Sequence, residues 1–120
     1  MSDADQHPQL YGIEYTDAAQ EEIEQAYLWL SSVTSPESAA KWVEGLRTAI
    51  NGLCLFPYRF QRAPEYLVSG REVRRLLYQK HRVLYLILEP EGEDTHGVVR
   101  VLHIYHGASE PPEESANGSG

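Results

Sequence analysis

A single cysteine, Cys54, is present, so no disulfide can form within the chain and a small disulfide-stapled framework is excluded. Its setting, Leu53-Cys54-Leu55-Phe56, is apolar, and a buried, inert thiol is expected there rather than a nucleophile. Long hydrophobic runs are equally scarce. The longest, Val83 to Leu88, has six residues and falls far short of a membrane span. No charged-then-apolar leader precedes a small-residue cleavage site, so the expected setting is the cytoplasm, with no membrane partner. There is no internal repeat, glycine-rich phosphate loop, zinc-protease helix or serine nucleophile elbow. Basic residues are few: ten Lys and Arg face eighteen Asp and Glu, for a net charge of −8. Taken over the whole chain, that charge opposes an anionic partner such as nucleic acid.

The basic charge that exists is concentrated. Seven of the ten cations, Arg59, Arg62, Arg71, Arg74, Arg75, Lys80 and Arg82, lie between positions 59 and 82 with only Glu65 and Glu72 among them. The segment therefore carries +5 and the remainder −13, which reverses the argument for one face of the molecule. The plainer alternative is that a basic run is simply a solvated surface.

At 120 residues and 42% hydrophobic, the chain can build one compact domain and no second. Polar residues 1–9 and the Pro-, Glu-, Ser- and Gly-rich residues 109–120 are expected to be disordered tails around a domain over 10–108. Tyr11, Ile13 and Tyr15 alternate with Gly12 and Glu14, which predicts an opening strand. Thr16 or Asp17 offers an N-cap, and Ala19, Ile23, Ala26, Tyr27 and Leu30 recur at helical spacing. Ser35-Pro36 starts a second helix, whose stripe runs through Ala39, Trp42, Val43, Leu46, Ile50 and Leu53 to Pro57. The short link between them predicts an antiparallel helical hairpin. Trp29 and Trp42 fall within these helical patterns and are expected in the core.

Residues 58–70, with Pro64 and Gly70, read as an extended loop. Three β-rich runs follow: Arg71 to Tyr78, Arg82 to Leu88 and Val98 to His106. Val83 to Leu88 is apolar on both parities, so this strand is expected in the centre of the sheet. The predicted fold class is α+β, ordered β-α-α-β-β-β, an antiparallel sheet with a helical hairpin on one face.

The β-hairpin formed by the last two predicted strands has a chemical consequence. If Leu88 and Val98 flank the last turn, Arg82 comes opposite Ile104, and Arg82 and His106 share one face side by side. A guanidinium beside an imidazole suits phosphate chemistry. On geometry alone, a surface charge and a strand-closing histidine remain the favoured reading, and a slip of one residue separates the pair. His103 and His106, three apart in a strand, face opposite sides, and no metal or cofactor site is expected. Arg74 and Arg75 also project to opposite faces, so only one can join a cleft with Arg82.

Several short motifs occur in order: Ala63-Pro64-Glu65, Ser69-Gly70, Val73-Arg74-Arg75-Leu76-Leu77, His81-Arg82-Val83-Leu84-Tyr85, and Val101-Leu102-His103-Ile104-Tyr105-His106-Gly107. Together with the two leading helices and Pro57 just after the second, the chain resembles the RelE/ParE toxin superfamily over almost the whole domain. The resemblance implies the toxin half of a bacterial type II toxin–antitoxin pair, with a cognate antitoxin as partner. Two targets follow from it. RelE-like members cleave mRNA in the ribosomal A site; ParE-like members inhibit DNA gyrase and are not nucleases. Glu65, Arg82 and His106 match the Glu, Arg and His of the YoeB-like nucleases, where they would serve as base, phosphate clamp and acid in metal-free cleavage. Arg62, Arg71, Arg74, Arg75, Lys80 and His81 are then the RNA- or partner-binding residues. The nuclease is placed ahead of the gyrase inhibitor, and an inactive homologue that only binds its antitoxin is the third reading.

Overall fold

The computed structural model describes residues 10–68, 70–93 and 96–107; the tails expected to be disordered lie outside the described residues. Strand β1 (Tyr11–Tyr15) leads into helix α1 (Asp17–Val33), helix α2 (Pro36–Asn51) and a 3₁₀ turn over Gly52–Cys54. Four strands follow, β2 (Arg62–Val68), β3 (Arg71–Tyr78), β4 (His81–Leu88) and β5 (Gly97–His106), in a sheet ordered β1-β5-β4-β3-β2. The α+β class and the leading helical hairpin are as predicted, with two differences. Residues expected as a loop contain the edge strand β2, antiparallel to β3 with an irregular register. Pro64 lies within it, and an edge strand tolerates a proline because one side of its backbone is unpaired. The sheet is also mixed: β1 runs parallel to β5, from Tyr11 opposite Gly97 to Tyr15 opposite Val101.

Both helix starts are explained by their caps. The Thr16 Oγ1 accepts from the Ala19 amide at 3.1 Å, and the Ser35 Oγ accepts from the Ser38 amide at 3.0 Å, each satisfying one N–H that the first helical turn leaves without a partner. Pro36 follows at the first helical position, where it has no amide to lose. The hairpin packs on one face of the sheet. Ala19 and Ile23 of α1 and Trp42, Leu46 and Ile50 of α2 bury against Leu76, Val83, Tyr85, Val99, Val101 and Ile104. Trp42 is in that core, but Trp29 is 57% exposed. The buried stripe of α1 passes through Leu30, and a neighbour in sequence stands about 100° away around the helix.

Among the described residues, no helix lies on the opposite face of the sheet. A smaller apolar cluster lies there, in which Ala63 and Tyr66 of β2 meet Val73 and Leu84, with Leu102 and Tyr105 alongside. Val83 to Leu86 are all buried, as expected of a central strand covered on both sides.

Candidate functional site

The register between β4 and β5 decides which side chains meet. From Leu88 opposite Val98 to Tyr85 opposite Val101 the pairing is the predicted one, but a bulge then intervenes and Leu84 lies opposite His103. Leu102 is the extra residue. Beyond it Arg82 pairs with Tyr105, and His81 pairs with His106. Partners opposite one another share a face and neighbours alternate, so Arg82 and His106 project to opposite faces. The expected side-by-side placement of Arg82 and His106 is therefore corrected by one inserted residue.

Helix α1 holds the bulge in place. The Thr16 amide donates to the Val101 carbonyl at 3.0 Å, and the Thr16 hydroxyl donates to the Leu102 carbonyl at 2.9 Å. Strand β1 has ended by then, which leaves the outer edge of β5 without a strand partner. Glu22 takes over: its Oε1 accepts from the Ile104 amide at 2.7 Å, while its Oε2 lies 2.9 Å from the His103 Nδ1. A helix carboxylate thus substitutes for a missing strand, an arrangement that nothing in the local sequence of β5 announces.

On the open face, Arg59, Phe60, Gln61, Arg75, Leu77 and Arg82 line a cleft of about 350 Å³. Leu77 faces Arg82 across the hairpin and is 61% exposed, an apolar contact point among three guanidinium groups. Arg75 is ion-paired with Glu65, and its Nε is buried with no hydrogen-bond partner among the described residues. Gly107 leaves room for Arg82, whose Nη1 would lie 3.1 Å from a Cβ at that position. Glu65 and Arg82 thus belong to the open face. His106 does not.

The other basic residues divide by role. Arg74 projects to the helical side, where its Nη1 donates to the carbonyls of Phe60 (2.7 Å) and Tyr58 (3.3 Å) and its guanidinium lies 5.0 Å from the centre of the Tyr58 ring. It fastens the segment before β2 and is occupied in doing so. Arg62 pairs with Glu72 at 2.7 Å with both groups exposed, a contact worth little in water. Arg71 and Lys80 are exposed at strand ends, and the Lys80 carbonyl accepts from the Gly107 amide at 2.7 Å. His81 turns toward α2, with its ring centre 4.7 Å from that of Trp42 and 5.1 Å from that of His106. Burial, and then the neighbouring His106, hold the His81 imidazole below its usual value of 6.5.

A second recess on the open face is almost wholly apolar. Tyr66, Val68, Val73, Leu84, Leu102 and His103 surround about 230 Å³. Burial, followed by a hydrogen bond with Tyr105, pushes the Tyr66 phenol well above its usual value. Arg59, Leu77 and Tyr66 were not singled out as site residues by sequence reasoning. For Leu77 a signal existed: a two-residue turn at Gln79-Lys80 requires that it face Arg82.

A helical hairpin packed on one side of a mixed five-stranded sheet matches the ParE-like fold of the RelE/ParE superfamily. The family is more specific. The model of the ParE toxin of type II toxin–antitoxin systems, parDE, matches residues 13–111, and the chain belongs to that family. Among solved structures it is similar to one titled "Chromosomal ParDE TA system from P. aeruginosa", with a TM-score of 0.61 and 18% identity over 81% of this chain and 96% of that one. At that identity the likeness speaks for the fold. No curated protein matches the chain. Membership of a type II system implies an antitoxin partner. Among the described residues, no helix is long and apolar enough to cross a membrane.

Proposed function

We propose that this chain is a cytoplasmic toxin that acts on DNA gyrase and is held inactive by an acidic antitoxin segment laid across the open face. The observation that carries the reading is the bulge at Leu102. It sends His106 to the helical face while Arg82 stays on the open face, so the general acid and the phosphate clamp of a metal-free nuclease are not gathered around one scissile bond. Glu65, the candidate base, is ion-paired with Arg75 on the open face, on the opposite side of the sheet from His106. Membership of the ParE family favours the same conclusion. The gyrase reading, second on sequence alone, therefore moves ahead of mRNA cleavage.

The open face offers what an acidic amphipathic segment needs. Guanidinium groups of Arg59, Arg75 and Arg82 frame the cleft, and exposed Leu77 lies between them. Carboxylates can be gripped in two-pronged fashion by such groups, and a disordered partner can cover a large surface while remaining open to proteolysis. Expression of the chain in bacteria should arrest growth with filamentation, DNA damage and intact mRNA, and co-expression of the adjacent antitoxin gene should restore growth. Discrete mRNA breaks within reading frames, mapped by primer extension without a DNA-damage response, would return the assignment to the nuclease. Healthy growth at high levels of the lone chain would indicate an inactive homologue.

A further inference from the structure

His81 and His106 are register partners at the open end of the β4–β5 hairpin. The Gly107 amide donates to the Lys80 carbonyl at 2.7 Å, which makes the next position along, His81 with His106, a pair without hydrogen bonds between its backbones. At such positions two antiparallel strands approach most closely and their side chains stand side by side. The imidazole centres are 5.1 Å apart and the rings are inclined at 82°. A metal ion held by two imidazoles has nitrogens about 2.0–2.1 Å away and ring centres about 3.2 Å away, so at a tetrahedral angle the centres stand about 5.2 Å apart. The observed ring spacing is compatible with that requirement.

We propose that His81 and His106 form a two-histidine site for a divalent transition-metal ion of the kind that favours imidazole, such as Zn²⁺, Ni²⁺ or Cu²⁺. The His81 ring is steadied by the edge of Trp42, and Trp42 by Tyr78, whose hydroxyl donates to the Trp42 carbonyl at 3.1 Å. Both histidines are half-buried, which leaves an ion a way in. Imidazole nitrogens are poor ligands for ions that demand oxygen, such as Mg²⁺ or Ca²⁺. Among the described residues no group of three potential ligands occurs, so the ion's remaining positions fall to water. A bound ion ties the first residue of β4 to the last of β5 beside α2. This site is independent of the basic cleft and lies on the other face of the sheet.

Trp42 is a built-in reporter, and Trp29→Phe leaves it the sole tryptophan. In the full-length Trp29→Phe chain, Ni²⁺ should quench Trp42 emission, and Zn²⁺ should raise the thermal midpoint progressively with concentration. Mg²⁺ should do neither. His106→Gln, at the end of a strand, should weaken Ni²⁺ binding by more than the roughly 10–100-fold typical for loss of a group that merely supports a ligand. His81→Gln should do the same, while His96→Gln and His103→Gln bind as the parent does. Absence of quenching in the parent, or quenching that survives His106→Gln in a chain shown by circular dichroism to be folded, overturns the proposal. If His81→Gln does not fold, the His106→Gln result decides alone.

Discussion

Thr16 has two roles, and removing its hydroxyl while keeping its shape separates them from packing. In Thr16→Val, α1 loses its cap acceptor for the Ala19 amide and the Leu102 carbonyl loses its donor. The cap is worth about 1 kcal/mol, and the part-buried hydrogen bond about 1 kcal/mol more. The branched side chain is retained, so no cavity term adds to these. A loss of about 2 kcal/mol lowers the thermal midpoint of a domain this size by about 8–16 °C, readable by circular dichroism and by the urea midpoint at unchanged slope. Thr16→Ser should stay close to the parent because its hydroxyl can make both contacts. Because Thr16 pins the bulge, amide exchange at Ile104 and Gly107 should accelerate in Thr16→Val more than at Leu76, which lies in a strand Thr16 does not touch. A Thr16→Val chain as stable as Thr16→Ser, with unchanged exchange in β5, would falsify the role given to this residue.

Glu22→Ala removes the acceptor of the Ile104 amide and the carboxylate beside His103; a loss of about 1–3 kcal/mol is expected in urea unfolding, with Glu22→Gln recovering the part that belongs to the amide. Gly97 packs so closely that an added Cβ would lie 2.5 Å from the Leu88 carbonyl oxygen and 2.6 Å from the Tyr11 ring, so Gly97→Ala should cost about 1–3 kcal/mol in the same assay, and an unaffected midpoint would show that β1 and β5 are not so closely apposed. Tyr85, which donates to the Pro57 carbonyl at 2.7 Å, has its phenol pushed up from 10.0 to about 12, chiefly by burial. A raised value means stability that is complete below pH 10.0 and lost as pH climbs through about 12, so alkaline unfolding should begin in that window and Tyr85→Phe should flatten it; equal alkaline sensitivity in the two chains would refute the assignment.

The helical half of the fold was legible because its determinants are local. Ser35 and Pro36 supply a cap and a preorganised first helical residue side by side, and the stripe from Ala39 to Leu53 repeats at the helical period. Trp29 was misplaced because a broad apolar pattern does not define the edge of the buried stripe. Strand β2 was missed because Arg62-Ala63-Pro64-Glu65 lacks the usual strand composition; β3 and its turn supply the pairing. The last hairpin was read correctly through four pairs, from Leu88–Val98 to Tyr85–Val101, and then lost at Leu102. That bulge is held by Thr16 and Glu22, more than 80 residues earlier in the chain, and no local pattern encodes such a contact. The candidate site inherited the error. Arg82 remained on the open face, while His106 moved to the opposite side to stand beside His81.

Gyrase inhibition is tested most directly in a purified reaction. Relaxed plasmid, DNA gyrase and ATP are combined with increasing amounts of this chain, in parallel with programmed ribosomes carrying an mRNA. A gyrase inhibitor gives a dose-dependent fall in supercoiling, reversed by the antitoxin, with the mRNA left whole. Undiminished supercoiling alongside cleavage of the ribosome-bound mRNA, abolished in Arg82→Ala, would contradict gyrase inhibition.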